Sequence, residues 1–283
     1  MKSIIYTFCF LAALLCFYSC QNSTGEPTGG KDSTAYFYEG LRQHNFGHFD
    51  TALVMYNTAI KLDSSNGEYF YERGRVYYDL DKADEALADF SNAIKLDKSQ
   101  SKYFHGRGMV YAETKNWDMA LPDIRTALDL SPENAQLHGL IGDIHLAQGD
   151  TLGALMDFEN FLQLSPNNPD FHEKTAYIYY GLGQLDKALM QADKAIELNA
   201  KNAEYYYLRA IVLSKMNKDK EALLASNKSI ELDLTNRKFY YLRGVIKLNV
   251  KDKTACDDLK KASDAGDEDA GALIKKYCPK MNS

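Results

Sequence analysis

The sequence ALADFSNAIKLD, residues 86–97, recurs in altered form along the chain at intervals of 34 residues. The related segments are ALVMYNTAIKLD (52–63), ALPDIRTALDLS (120–131), ALMDFENFLQLS (154–165), ALMQADKAIELN (188–199) and ALLASNKSIELD (222–233). A fixed period in this range indicates stacked supersecondary units, each of which buries its apolar face against the next. The repeat therefore predicts a stack of similar units.

Seven blocks can be counted from Ser33 without a gap: 33–66, 67–100, 101–134, 135–168, 169–202, 203–236 and 237–262. Each block contains two apolar patterns of helical period, separated by a short polar turn. In the second block these are EYFYERGRVYYDL and DEALADFSNAIKL. We therefore expect every block to form a helical hairpin, and number positions from the first residue of each block.

Small residues recur at two positions of the block. Position 8 is Gly or Ala in all seven blocks, and position 20 is Ala in the first six. Gly is about 1 kcal/mol worse than Ala inside a helix, so its recurrence indicates close approach of a second helix. We expect position 20 to face position 8, and position 24 to fill the space between neighbouring hairpins. The small residues at position 24 of blocks five and six, Ala192 and Ser226, predict looser packing there.

This pattern resembles the tetratricopeptide repeat in its period, in its small residues at positions 8 and 20, and in Pro132 and Pro166 near block ends. The resemblance covers residues 33–262. It implies an all-α fold: a right-handed α-solenoid of seven helix-turn-helix tetratricopeptide repeats whose first helices line a concave groove. Block seven departs from the pattern, because its connector is one residue short and Ala255 takes the place of the recurring Ala. Residues 263–283 are predicted to form a capping helix and C-terminal tail, because a terminal repeat must be covered.

The first residues of the chain indicate export. Lys2 precedes an apolar run over residues 4–18, which is short for a bilayer span and typical of a signal peptide. The ending at Ser19 and Cys20 resembles a bacterial lipoprotein signal, which implies a signal peptide at 1–19 and a lipid anchor such as palmitate on Cys20. Plain secretion with a free Cys20 is the alternative.

Residues 20–32, the lipidated Cys and the polar stretch behind it, are predicted to act as a flexible tether. Gln21 stands where enterobacterial-type lipoproteins retained at the inner membrane carry Asp. We therefore expect an outer membrane lipoprotein of the cell envelope that faces the periplasm.

Two cysteines remain after export. Signal removal discards Cys9 and Cys16, and lipidation occupies Cys20, which leaves Cys256 and Cys278. An even number in an exported chain favours a disulfide, which would join the capping helix to the helix beneath it. On the chain-entropy model it would stabilise the fold by roughly 3 kcal/mol. Two cysteines without a nearby His do not complete a zinc site.

The motifs of common catalytic sites are missing from the sequence. It contains no phosphate-binding Gly loop followed by Lys-Ser/Thr, no G-x-S-x-G and no H-E-x-x-H. Gly47 in the predicted turn separates His44 from His48, so one helix face does not present both. The net charge of −6 argues against nucleic-acid binding through a basic surface. We predict no enzymatic activity, no cofactor, no metal and no nucleic-acid partner.

Charged residues also recur with the blocks. Arg occupies position 7 and Asp position 23 in several of them: Arg73, Arg107, Arg209, Arg243, Asp89, Asp123 and Asp157. Because both series follow the scaffold, we interpret them as structural ion pairs within or between hairpins in preference to a ladder that grips a peptide.

Groove residues follow from the resemblance, which assigns positions 2, 5, 9, 12 and 13 to the concave face. Aromatic side chains with a few charges are typical of protein-binding surfaces. The candidate partner-binding residues are Phe37, Tyr71, Arg75, His105, Tyr177, Tyr180, Tyr207 and Tyr241. The wider set at these positions includes Met109 and Asp143. The alternative, that these aromatic residues simply cover the groove floor, stays open.

One partner class of the family is disfavoured by the residues present. Binding of the C-terminal carboxylates of heat-shock chaperones needs Lys and Asn on successive first helices. In the first two blocks these places hold Phe37 and Leu41 or Tyr71 and Arg75.

We therefore predict a non-enzymatic protein–protein interaction scaffold, or adaptor, anchored in the bacterial cell envelope, with a partner protein or peptide segment bound in the concave groove. One alternative is a component of an outer-membrane assembly or secretion machinery. Another is a carbohydrate or small-ligand receptor in which Tyr177, Tyr180 and Tyr207 stack on a sugar.

Overall fold

The computed structural model describes residues 32–281, and within this range the chain forms α-helices and no strands. The helices divide into two compact units, one ending at Asp97 and the other beginning at Lys98. The predicted signal peptide, the anchor Cys20 and nearly all of the predicted tether lie outside the described residues. The right-handed sense of the solenoid stays a prediction.

The helices follow the period of the sequence. Those of the first unit are α1 Ser33–Asn45, α2 Phe49–Leu62, α3 Gly67–Asp79 and α4 Ala83–Leu96. Those of the second unit are α5 Ser101–Glu113, α6 Trp117–Leu130, α7 Ala135–Ala147, α8 Thr151–Leu164, α9 Pro169–Gly181, α10 Leu185–Leu198, α11 Ala203–Lys215, α12 Asp219–Leu232, α13 Arg237–Asn249, α14 Ala255–Asp264 and α15 Glu268–Met281. Odd-numbered helices from α1 to α13 start at position 1 of their blocks, and each forms a hairpin with the helix that follows.

Two local devices set this period. Position 15 of each block has a left-handed backbone, which ends the first helix of the hairpin and which only Gly adopts freely. Its φ is 72° to 82° at Gly47, Gly149 and Gly183, and 57° to 60° at Asp81, Lys115, Asn217 and Lys251. At the block junctions an Asn side chain accepts the N–H two residues ahead and so starts the next first helix. These caps are Asn66, Asn134, Asn168, Asn202 and Asn236.

Position 8 packs against position 24 of the same hairpin. A Cβ added to Gly40 would lie 2.6 Å from Cε1 of Tyr56, and one added to Gly108 would lie 2.6 Å from Cγ1 of Ile124. As expected, position 20 also lies close to position 8, because its carbonyl oxygen would lie 3.4 Å from the Cβ on Gly108. Position 24 also packs on the next hairpin, as Tyr56 does on Val76. The larger side chain, one helical turn beyond position 20, lies over the small residue.

Blocks five and six satisfy the same contact with different residues. Position 8 is Ala176 or Ala210, and position 24 is Ala192 or Ser226. All four side chains are fully buried. A Cβ at position 8 thus accompanies a small residue at position 24, and the looser packing expected for these blocks stays a prediction.

The predicted structural ion pairs are confirmed. Both oxygens of Asp89 accept from Arg73 at 2.7 Å. Equivalent two-point pairs join Arg107 to Asp123 and Arg243 to Asp258. Arg209 instead pairs with Asp193 of the preceding hairpin, at 2.6 Å.

Block four uses histidine in place of arginine. Position 7 is Ile141 there, and the Asp157 carboxylate lies 2.8 Å from Nδ1 of His145 and 3.7 Å from Nδ1 of His138. The carboxylate at position 23 therefore keeps a nitrogen partner even where the arginine is missing.

The final helix covers block seven. Asp267 accepts the N–H of Ala270 at 2.9 Å and so caps α15. Three residues of α15, Ala270, Leu273 and Ile274, pack with Phe239, Leu259 and Ala262 of the last hairpin. Cys256 of α14 and Cys278 of α15 are joined in the structure, with Cα atoms 5.8 Å apart. Oxidation of this pair in the exported protein stays a prediction.

The contact between positions 8 and 24 predicts strong coupling of two substitutions in block four. A Cβ on Gly142 would lie 2.6 Å from Cδ1 of Phe158, whose ring is fully buried. We expect Gly142→Ala alone to destabilise by about 1–3 kcal/mol. In a Phe158→Ala background it should be neutral or stabilise by up to about 1 kcal/mol, because Ala is the better helix former.

Chemical denaturation of the four proteins of this double-mutant cycle measures the coupling. The double variant reproduces the natural pair Ala176 and Ala192, which serves as the internal reference. Additive effects of the two substitutions would show that the contact does not limit hairpin packing.

Candidate functional site on the first helices

The predicted partner-binding residues divide between the two units. Phe37, Tyr71 and Arg75 lie in the first unit, and the others lie in the second. In the first unit Phe37 is half-buried, with its ring centroid 4.9 Å from that of Tyr69. The Tyr71 ring lies 5.7 Å from Phe90, and burial raises the pKa of Tyr71. These two rings therefore also belong to the packing of their hairpins.

Arg75 is the exposed member of the first-unit group. Its guanidinium lies 2.9 Å from the carboxylate of Glu72 and 6.0 Å from the ring of Tyr71. Glu72 itself is buried, and this burial raises its pKa although Arg75 acts in the opposite sense. The pair holds the arginine against the helix surface.

Four tyrosines of the second unit form a group that we call the tyrosine row: Tyr177, Tyr180, Tyr207 and Tyr241. They come from α9, α11 and α13, and α11 contacts both of the other helices. Burial raises the pKa of Tyr207, and the neighbouring Glu204, Tyr180 and Tyr241 raise it further. The Tyr207 ring lies 5.2 Å from that of Phe239, whereas Tyr177 is 40% exposed. The row thus combines anchored rings with an accessible one.

Two carboxylates accompany the tyrosine row. Burial raises the pKa of Glu173, and the charge of Glu204 raises it further. Burial also raises the pKa of Tyr177, with added contributions from both glutamates. Asn236 donates from Nδ2 to Oε1 of Glu204 at 3.1 Å. The surface around the tyrosine row is therefore negatively charged, and its carboxylates are partly buried.

The positive charge nearest in sequence is already engaged. Nζ of Lys174 lies 2.6 Å and 2.9 Å from the two oxygens of Asp143 on α7. It also lies 4.8 Å from the ring centroid of Phe171. Lys174 lowers the pKa of Glu173, but less than burial and Glu204 raise it.

His105 lies on α5, which is not one of the helices that carry the tyrosine row. Its side chain is half-buried, and burial lowers its pKa, so the neutral imidazole is favoured.

A pocket of about 220 Å³ opens between α5, α6 and α7, and we call it the Trp117 pocket. Its lining residues are Met109, Ala112, Glu113, Trp117, Leu140, Asp143 and Ile144. Met109 and Asp143 are at position 9, a predicted groove position, whereas Trp117, Leu140 and Ile144 are at positions that were not predicted to line the groove. The available signal was that Trp117 is the only tryptophan of the chain and begins a second helix.

No three His, Cys, Asp or Glu side chains among residues 32–281 are grouped as a metal site would require. Over the same part of the chain, none of the helices combines the length and apolar character needed to cross a membrane.

The arrangement of hairpins defines an all-α helical repeat solenoid. Two models described as tetratricopeptide repeat match the sequence, one over residues 39–101 and 105–169 and the other over residues 145–212. The chain therefore belongs to the tetratricopeptide repeat family. Domains of this family typically act as non-enzymatic scaffolds that bind protein or peptide partners.

Solved structures of the same fold are similar to this chain. The C-terminal part of a repeat-containing protein from Cytophaga hutchinsonii has a TM-score of 0.69 at 18% identity, covering 82% of this chain and 99% of its own. A tetratricopeptide repeat protein from Parabacteroides merdae has a TM-score of 0.60 at 20% identity, covering 90% and 100%. YrrB, described as having an unusual peptide-binding site, has a TM-score of 0.58 at 20% identity, covering 65% and 95%. A search of curated proteins found no significant match.

The raised pKa of Glu173 predicts a gain in stability from Glu173→Gln at pH 7. A carboxyl whose folded-state pKa exceeds its unfolded value destabilises the fold above that pKa, and the penalty disappears as the pH falls through it. The gain should therefore shrink toward about pH 4. Urea denaturation followed by helicity at both pH values measures it.

Asp258→Asn is the matched comparison. Burial alone would raise the pKa of Asp258, but hydrogen bonds from Arg243 and Lys247 outweigh it and hold the pKa below its ordinary value. Its contribution is present above the unfolded pKa and is lost only as the pH falls through the folded value. Asp258→Asn should thus lower stability at pH 7, and equal effects of the two variants would contradict the assignment.

Proposed function

We propose that the chain is a protein–protein interaction scaffold whose first-helix face binds a segment of a partner protein. The tyrosine row is the observation that carries this proposal. Rigid aromatic side chains supply contact area at a small entropic cost and are enriched among the residues that dominate interfaces. Preformed hairpins lower the cost of ordering the surface on binding, which favours affinity without chemistry.

Site-specific photo-crosslinking tests this function. We expect benzoylphenylalanine in place of Tyr177 to capture a defined protein in the native cell. The control position is Leu224, which is 70% exposed on α12 and therefore outside the first-helix face. A product that forms equally from both positions, or only from 224, would argue against partner binding on the first-helix face.

The proposal extends to the cell envelope. A signal ending in Ser19 and Cys20, the polar segment behind it, and the pair Cys256 and Cys278 are its support. Disulfides persist in oxidising compartments, so this pair fits an exported protein. We place the chain on the periplasmic side of the outer membrane, held by lipid on Cys20.

Metabolic labelling tests the anchor and the compartment together. Wild type should incorporate a palmitate analogue and fractionate with membranes, whereas Cys20→Ala should lose both properties. In the mature wild-type protein, thiol alkylation before reduction should leave Cys256 and Cys278 unmodified. Equal labelling of both proteins would eliminate the lipid anchor, and full alkylation of both cysteines would eliminate the disulfide.

A further inference from the structure

We propose that the partner segment is basic and carries one large apolar residue. The apolar side chain enters the Trp117 pocket, and a Lys or Arg side chain lies over Tyr177 and Tyr207 beside Glu173 and Glu204. This inference deepens the proposed function and rests on it.

The volume of the Trp117 pocket selects the size of its occupant. Pockets for drug-sized ligands or cofactors measure about 300–1,000 Å³, whereas this pocket has about 220 Å³. It therefore suits one side chain of the size of Leu, Met or Phe. Its apolar lining residues are Met109, Ala112, Trp117, Leu140 and Ile144. Buried apolar anchors in such pockets provide most of the binding energy of peptide-sized interfaces.

Charge selects the second feature of the partner. Glu173 and Glu204 are both half-buried and lie on α9 and α11, two helices in contact, so their carboxylates repel one another. An incoming cation would be attracted by both carboxylates and would relieve this repulsion. The rings of Tyr177 and Tyr207 offer faces for the same cation within a desolvated surface. Guanidinium and ammonium groups fit this surface, and carboxylates do not.

An ion pair connects the Trp117 pocket with α9, the helix that carries Tyr177 and Tyr180. Asp143 lines the Trp117 pocket and forms the ion pair with Lys174, which is adjacent in sequence to Glu173. Packed helices lie about 8–10 Å apart, so the two steps between first helices correspond to about 20 Å. An extended segment covers that distance in about six residues. The apolar and basic residues of the partner should therefore be separated by about this number.

Selection from a random library of displayed 12-residue peptides tests the proposal with the full-length chain in detergent. We expect enrichment of peptides in which Lys or Arg lies about six residues from Phe, Leu or Met. Because Trp117 is the only tryptophan, its fluorescence reports occupation of the pocket directly. Enriched peptides should change this fluorescence on binding.

Two variants separate the charge contribution from general effects. Glu173→Gln with Glu204→Gln should weaken the selected peptides at least about tenfold, which corresponds to 1.4 kcal/mol. It should also reduce the salt dependence of binding. The control, Glu197→Gln with Glu231→Gln, removes the same charge from α10 and α12, where both side chains are 67% exposed. It should bind as wild type does.

Three outcomes would overturn the proposal: enriched peptides without a basic residue, no enriched peptide at all, or equal affinity for the two double variants. If the Tyr177 photo-crosslink still captures a protein in any of these cases, the scaffold function stands and only the stated partner chemistry fails. Loss of both results would remove the scaffold function as well.

Discussion

Every hairpin depends on the space between position 8 of its first helix and position 24 of its second. The chain satisfies this constraint in two ways, with Gly beneath a large side chain, as at Gly74 and Phe90, or with Ala beside a small one, as at Ala176 and Ala192. Ala with Ala occupies less volume than Gly with Phe, and other apolar side chains, such as Met216, pack against the cluster that contains the alanine pair. The interior thus stays close-packed in both arrangements. Hairpins can stack in a regular series only if each of them has the same thickness. The contact therefore also maintains the stacking of neighbouring hairpins.

Rigid hairpins leave part of the first-helix surface free for residues that do not stabilise the fold. Glu173 illustrates this, because its carboxylate is partly buried beside the like charge of Glu204. In a recurring ion pair, by contrast, the buried carboxylate of Asp258 is met at two points by Arg243, and its pKa is held below the ordinary value. An arginine at two-point contact distance neutralises a buried carboxylate elsewhere in the chain, but among the described residues no such pair is found at Glu173. A destabilising arrangement that the scaffold does not need is typical of a functional surface.

Features that depend on a single position of the repeat could be predicted from the sequence. The hairpins, the ion pairs and the final covering helix follow from local periods and from the need to cover a terminal repeat, and these were predicted correctly. The contact of position 8 with position 24 could be recognised only by comparing the two positions block by block. The sequence does show the pattern, because Gly at position 8 accompanies a large residue at position 24 and Ala accompanies a small one. The depth of burial of a side chain could not be predicted from the repeat. Phe37 and Tyr71 were assigned to the concave face, but both rings are half-buried. The Trp117 pocket combines side chains from six different positions of two neighbouring blocks, so no single position of the repeat could indicate it.

Block four contains several departures from the repeat, and its first helix, α7, also supplies Leu140, Asp143 and Ile144 to the pocket. Gly139 leaves room for Phe171, whose ring stacks on Phe161 with centroids 3.5 Å apart. This stack explains why position 27 holds Phe161 in block four when other blocks have a small residue there. Ile141, in turn, replaces the arginine of position 7. The positions that keep the same residue type in the seven blocks are those that stacking requires. Residues that differ from the repeat at such positions therefore indicate a requirement other than stacking. Because α7 supplies three of the seven residues that line the Trp117 pocket, as many as α5 does, binding in this pocket is one such demand.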